Sequence, residues 1–245
     1  MPRYKLTLEY DGTGFVGWQR QNNGVAVQQV LEAAIAKLCG RLCPVMAAGR
    51  TDAGVHATGQ VAHFDCERPF AADTVRDAVN FHLKPRPVAV IAAEAVGDDF
   101  HARFSAVGRA YRFRIVNRRA PLALDAHRAW WVVGPLDAEA MAAGARHLLG
   151  HHDFTSFRAG ECQAKSPLKT LDRLDVVRHG DEISVIAEAR SFLHHQVRNM
   201  VGTLKLVGEG KWRPDDVRIA LEAKDRAAAG PTAPPQGLYL TGVRY

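Results

Sequence analysis

Two periodicities take turns along this 245-residue chain, and their alternation is what most narrows its fold. Tyr4, Leu6, Leu8 and Tyr10 alternate with Lys5, Thr7 and Glu9, the period of a half-buried strand. Val27, Val30, Leu31, Ala34, Ile35 and Leu38 then recur at helical spacing, with Gly40 placed to end that helix. The same exchange continues downstream. A short apolar segment, Val45 to Ala48, leads into "AAGRTDAGVHATGQ", and "GQVAHFD" reads as another strand. Asp73 to Leu83 reads as a helix stopped by Pro85 and Pro87. "VAVIAAEAV" and "RAYRFRIVN" read as strands, Asp137 to Leu149 as a helix, and "LDRLDVVRHG" with "DEISVIAEA" as a hairpin turning near Gly180. Leu193, Val197, Val201 and Leu204 mark a helix, Asp215 to Ala223 another, and "GLYLTGVRY" a last strand. Interleaving of this kind predicts an α+β fold with a largely antiparallel sheet. The length suits one large domain or two joined halves, expected at 1–105 and 106–245.

Charge says something about partners. Lys and Arg number 32 against 26 Asp and Glu, a formal net charge of +6, which favours polyanions without choosing between nucleic acid and a membrane surface. No apolar run is long enough to span a bilayer, and "MPRYKLTLEYDG" alternates like a strand and has no apolar signal core. The expected location is the cytoplasm, with no membrane partner. Cys39, Cys43, Cys66 and Cys162 form no CxxC pair and are expected as free buried thiols. The pairs His151–His152 and His194–His195 invite a metal. Read as helical neighbours they point about 100° apart and do not suit one ion, so no metal site is expected.

Four stretches remain as candidates for chemistry. Gly12, Gly14 and Gly17 match G-x-G-x-x-G after a strand, the dinucleotide fingerprint, but seven residues, Trp18 to Gly24, intervene before the helix that should open inside the motif. "GEGKW" has Trp212 where a P-loop needs Ser or Thr. From His101 to Leu124 there are six arginines and no acid. In "RAYRFRIV", Tyr111, Phe113 and Ile115 share one strand face while Arg112 and Arg114 share the other. That basic face is either solvated backing to a core strand or a surface for single-stranded RNA, where cations meet phosphates and aromatic rings meet bases. Finally, "AAGRTDAGVHATGQ" sets Asp52 in a glycine-bounded loop two residues after Arg50. A tight turn explains the glycines and uses an aspartate. A carboxylate kept ionised beside a cation could also serve as a nucleophile or a base.

Six motifs occur in one order: "YDGTGFVGWQRQ", "GRTDAGVHA", "RAYRFRI", "DFTSFRA", "FLHHQVRNMVGTL" and "APPQGLYL". Together they resemble the tRNA pseudouridine synthase A family over nearly the whole chain. The resemblance implies two RRM-like, ferredoxin-like halves sharing a largely antiparallel central sheet with a basic cleft between them, and a homodimer. It implies isomerisation of uridine to pseudouridine in the anticodon arm of tRNA, at positions 38, 39 and 40, on a base flipped out of its stack, with no cofactor and no metal. By the same resemblance Asp52 is the essential catalytic carboxylate and Arg198 its ion partner. Tyr111 stacks on the uracil and Leu238 packs its other side. Arg50 fills the space left by the flipped base or holds a phosphate.

Overall fold

The structure, a computed structural model, describes residues 1–245. Its strands and helices run in the order β1 (Arg3–Tyr10), α1 (Val27–Cys39), β2 (Met46–Ala47), β3 (His56–Asp65), α2 (Ala72–Leu83), β4 (Val88–Val96), β5 (Gly108–Asn117), β6 (Trp130–Val132), α3 (Ala138–Arg146), β7 (Gly150–Asp153), β8 (Leu168–His179), β9 (Glu182–Ala189), α4 (Gln196–Gly208), α5 (Pro214–Glu222) and β10 (Leu238–Arg244). The α+β alternation expected from the periodicities is therefore observed. The chain divides into two compact units, Met1–Val107 with Tyr239–Tyr245, and Gly108–Leu238. No helix is long and apolar enough to cross a membrane.

In the first unit β1 lies between β3 and β4, antiparallel to both, with Leu6 opposite Ala62 and Ala93. The other edge of β3 carries β2 at Met46 and Ala47 and, in parallel, β10 at Tyr239 and Leu240. Tyr4, Leu6 and Leu8 of β1 are buried, as are Leu31, Ala34 and Ile35 of α1 and Val75, Val79 and Leu83 of α2. Each of the buried Leu, Ile and Val side chains stabilises the unit by about 1.5–3 kcal/mol relative to exposure. Helix α1 ends as its sequence requires: Gly40 turns left-handed at φ 74° and its N–H closes on the Ala36 carbonyl.

A second, smaller cluster forms where Ala102 packs with Ala48 and Val61, flanked by Phe100 and Val243. The Tyr245 hydroxyl donates to the Ala102 carbonyl at 2.8 Å, and the Val107 N–H to Arg244 at 2.8 Å. These bonds fix the last strand to the first unit, although the expected division had placed it with the second half. His63 sits in this layer, buried, with its Nδ1 accepting from the Ala102 N–H at 3.1 Å. Burial pushes its pKa down to about 4, and His101 and Arg3 add to the effect. Unfolding returns the ring to its ordinary value near 6.5. Between those values the unfolded chain binds the extra proton, so stability falls as pH drops. We expect about 2 kcal/mol to be lost from this group between pH 7 and pH 5. Urea midpoints at the two pH values measure it, and His63→Asn should flatten the difference.

In the second unit the strand order is β6, β5, β9, β8, β7, antiparallel except for β5 with β6. Phe113 and Ile115 of β5, Ile183 and Val185 of β9, Met141 of α3 and Met200, Val201 and Leu204 of α4 are buried. Asp137 caps α3, its carboxylate accepting from the Ala140 N–H at 2.9 Å. The helix is shorter than its apolar spacing predicts. Beyond Arg146 the chain tightens into three-residue hydrogen bonds, Leu148 N–H to Ala145 and Leu149 N–H to Arg146, before Gly150 turns left-handed at φ 94°.

Candidate active site

Asp52 opens a turn between β2 and β3. The Val55 N–H donates to the Asp52 carbonyl at 3.1 Å and Gly54 is left-handed at φ 76°. The turn is thus real, and it is closed by the backbone of Asp52. Arg50 is exposed and Asp52 half-buried on the same loop.

The loop is braced from two sides. On one side lies the glycine-rich segment after β1. The Trp18 N–H donates to the Thr51 carbonyl at 2.9 Å and the Gly54 N–H to the Phe15 carbonyl at 3.3 Å. A Cβ on Gly12 would sit 2.0 Å from the Val55 carbonyl oxygen, and one on Gly17 2.7 Å from that of Thr51. Two of the three fingerprint glycines therefore exist so that one loop can lie against another, whereas a Cβ on Gly14 meets nothing within 4 Å. No helix opens inside the motif, since α1 begins at Val27. His56 anchors the same segment: the Gly12 N–H donates to its Nδ1 at 2.9 Å, and its ring stacks on Tyr239 at 4.7 Å.

On the other side is a buried polar cluster that the pattern reading missed. The Tyr10 hydroxyl is 2.8 Å from the Thr51 hydroxyl, and the Gln60 carboxamide donates to the Gly49 carbonyl at 2.9 Å and towards Tyr10 at 3.5 Å. Burial pushes the Tyr10 pKa up to about 12, against the pull of both hydrogen bonds, so the phenol stays neutral. These contacts hold Gly49 and Thr51, the residues flanking Arg50. A signal was available: Gln60 falls on the same strand face as Ala62 and Phe64, where a polar side chain needs a partner.

The second unit carries the other candidates. Tyr111 is half-buried on β5, edge-on to Phe192 with centroids 5.2 Å apart at 87°. Arg198, on the first turn of α4, donates through Nε to the Ala233 carbonyl at 2.8 Å, and the Ala233 N–H returns a bond to the Arg198 carbonyl at 3.1 Å. The proline-rich loop is thereby tied to α4. Asn199, fully buried, strengthens the tie by accepting from Thr232 at 2.6 Å and Arg226 at 3.2 Å while donating to Phe157 at 2.9 Å. Leu238 is buried directly after the turn at Pro235–Gly237, where a Cβ on Gly237 would strike the Phe113 ring at 2.6 Å.

Two expectations need revision. The basic face of β5 is not simply solvated, because its arginines are ion-paired. Arg112 and Arg114 both pair with Glu182 of β9, and Arg114 also with Asp125 at 3.3 Å. Burial alone would raise the Glu182 pKa, but the hydrogen bond and charge of Arg114 and the charge of Arg112 outweigh it and hold the carboxyl below its ordinary range. The histidine pairs are also not helical neighbours. His151 and His152 lie on β7, with His152 Nε2 donating to the Leu149 carbonyl at 2.7 Å. His194 and His195 precede α4, and His195, its N-cap, is left-handed at φ 61°.

Fold and loop together define an α+β protein that presents a carboxylate on a rigid, doubly braced turn. A family model described as tRNA pseudouridine synthase matches residues 7–105 and 145–245. The chain is 74% identical over 245 residues to tRNA pseudouridine synthase A of Paramagnetospirillum magneticum, covering 100% of this chain and 96% of that protein. It is 63% identical to the protein of that name from Rhodospirillum centenum and 62% identical to that from Parvibaculum lavamentivorans, each over the full length of both chains. The chain belongs to the tRNA pseudouridine synthase family.

Proposed function

We propose that this protein converts uridine to pseudouridine in the anticodon stem-loop of tRNA, at positions 38, 39 and 40, with Asp52 as its catalytic carboxylate. Family membership makes it an isomerase acting on tRNA uridine. The reaction breaks the bond from ribose C1′ to uracil N1, turns the base and joins C1′ to C5. C5 gives up its hydrogen as a proton and N1 gains one. No electrons change hands, so the step calls for no redox cofactor. Asp52 attacks C1′ or removes the 2′ proton, and either role needs an ionised carboxylate held close to the ribose. The observation that carries this reading is the bracing of the Asp52 turn by Gly12, Gly17, Tyr10 and Gln60. Such support lets a flexible substrate meet a fixed group.

The same reading gives the other residues their parts. Tyr111 stacks on the uracil, with Phe192 fixing its ring edge-on. Leu238 packs the opposite side of the base. Arg198 acts as counter-charge to Asp52, and Arg50 fills the gap left by the flipped base or holds a phosphate. The protein works in the cytoplasm as a homodimer, without a metal.

The deciding experiment is tritium release from transcripts labelled at uridine C5, because C5 loses its hydrogen only when the new bond forms there. We expect release from an anticodon arm with uridine at positions 38, 39 or 40, and none when all three are cytidine. Undiminished release from the latter would refute the site assignment.

The bracing has its own consequence. Tyr10→Phe removes the hydroxyl shared by Thr51 and Gln60. It should cost about 1 kcal/mol of stability and lower the single-turnover rate roughly tenfold, with tRNA affinity unchanged. Thr51→Ser, which keeps the hydroxyl, should stay near wild type, whereas Thr51→Val should behave like Tyr10→Phe. Single-turnover rates at saturating enzyme separate the two groups.

A further inference from the structure

Cys39 ends α1 and Cys66 follows β3, so both stand on elements of the first unit whose positions are fixed by core packing. Their sulfurs are 2.9 Å apart, although the residues are 27 positions apart in sequence. Bonded sulfurs lie about 2.0 Å apart, so a shift of less than about 1 Å would join these two. Cys43, the nearest rival in sequence, is buried; its thiol donates to the Arg41 carbonyl at 3.7 Å and also neighbours the Cys39 thiol, but only Cys66 brings its sulfur to 2.9 Å. Cys162 is in the other unit. Cys39 is partly exposed while Cys66 is buried. A small oxidant can therefore reach the first thiol, and the second can resolve the product.

We propose that Cys39 and Cys66 are a dithiol poised to form an intramolecular disulfide by exchange with a small dialkyl disulfide. The Cys39 thiolate attacks one sulfur of the small disulfide, breaks its S–S bond and releases one small thiolate. Cys66 then loses its proton to solvent and attacks Cys39 Sγ. That step breaks the mixed disulfide and releases the second small thiolate. Two protein thiols are oxidised and one small disulfide is reduced to two thiols. Proximity drives the second step, because the attacking sulfur is already in place. The first step is slow. Burial and the neighbouring Cys66 and Cys43 thiols raise the Cys39 pKa, and a helix C-terminus also disfavours a thiolate. Oxidation should accordingly quicken about tenfold for each unit of rising pH around neutrality.

The closed ring would enclose β2, the Asp52 turn and all of β3. It would tie the end of α1 to the end of β3 with little movement of either.

The test uses the full-length protein incubated with oxidised glutathione at pH 8, then denatured and titrated for free thiols. We expect the count to fall from four to two, and the intact mass to drop by two hydrogens with no adduct. Trypsin cleaves after Lys37, Arg41 and Arg50, so Cys39, Cys43 and Cys66 fall on three different peptides and the linked pair is read directly. The peptides of Cys39 and Cys66 should be joined, and reduction should restore four thiols. The oxidised form should unfold at a urea concentration higher by about 1 M. In Cys66→Ser the glutathione adduct should accumulate on Cys39. A stable adduct on the wild-type protein, a Cys39–Cys43 link, a cross-link between chains, or four thiols surviving would each overturn the proposal.

Discussion

Asp52→Asn should bind tRNA with near wild-type affinity and release no measurable tritium from 5-tritiated uridine. Asparagine keeps the size of aspartate and its backbone, and it is the backbone carbonyl that closes the turn with Val55. The neighbouring supports do not involve the carboxylate either: Thr51 is held through its hydroxyl and its carbonyl, and Gly49 through its carbonyl. The variant should therefore fold with the loop in place. What it loses is the negative charge, and with it any capacity to act as nucleophile or base at neutral pH. Loss of such a role costs many orders of magnitude in rate, whereas affinity rests on phosphate contacts spread over the surface. Filter binding and tritium release on one folded sample separate the effects. Turnover within about tenfold of wild type would remove Asp52 from the chemistry.

Gly12→Ala should be the next most damaging change, though its residue makes no contact that chemistry would suggest. The new Cβ would lie 2.0 Å from the Val55 carbonyl oxygen and 2.6 Å from its carbon. Both are backbone atoms of the Asp52 turn, so no side chain can rotate away to relieve the clash. Either the glycine-rich segment lifts or the turn moves. The first course also breaks the bond from the Gly12 N–H to His56. The second displaces Asp52 by an amount of the order of the overlap. A 1 Å misplacement at a reacting group costs about a hundredfold in rate. We expect that loss in single-turnover rate, together with about 1–3 kcal/mol of stability from overpacking. Gly14→Ala, with open space at its Cβ, is the matched control and should be close to wild type in both respects. Equal rates for the two variants would mean that the segment does not brace the site.

The contrast between those glycines bears on what a sequence discloses. Features set by neighbours in the chain were legible: the alternation of Tyr4, Leu6, Leu8 and Tyr10, or the stop of α1 at Gly40. Short edge strands were not. β6 and β7 have three and four residues, too few to express a period, and both owe their extended form to partner strands. The run of six arginines looked free of acids because Glu182 lies 68 positions beyond Arg114 and meets it only through strand pairing. The Asp52 loop was legible as a turn. Its bracing was hidden because Tyr10 passes for a core residue until Thr51 and Gln60 are seen on its hydroxyl.

The pairing of β10 with β3 sets an order of events during synthesis. Tyr239–Tyr245 complete the first unit, yet the ribosome makes them only after the roughly 130 residues of the second unit. At elongation rates of about 5–20 residues per second that interval is on the order of ten seconds. Throughout it His56 and Ala57 of β3 lack their β10 partners, and His56 lacks the Tyr239 ring on which it will stack. The segment that follows the Asp52 turn therefore gains this last support only when the final strand docks.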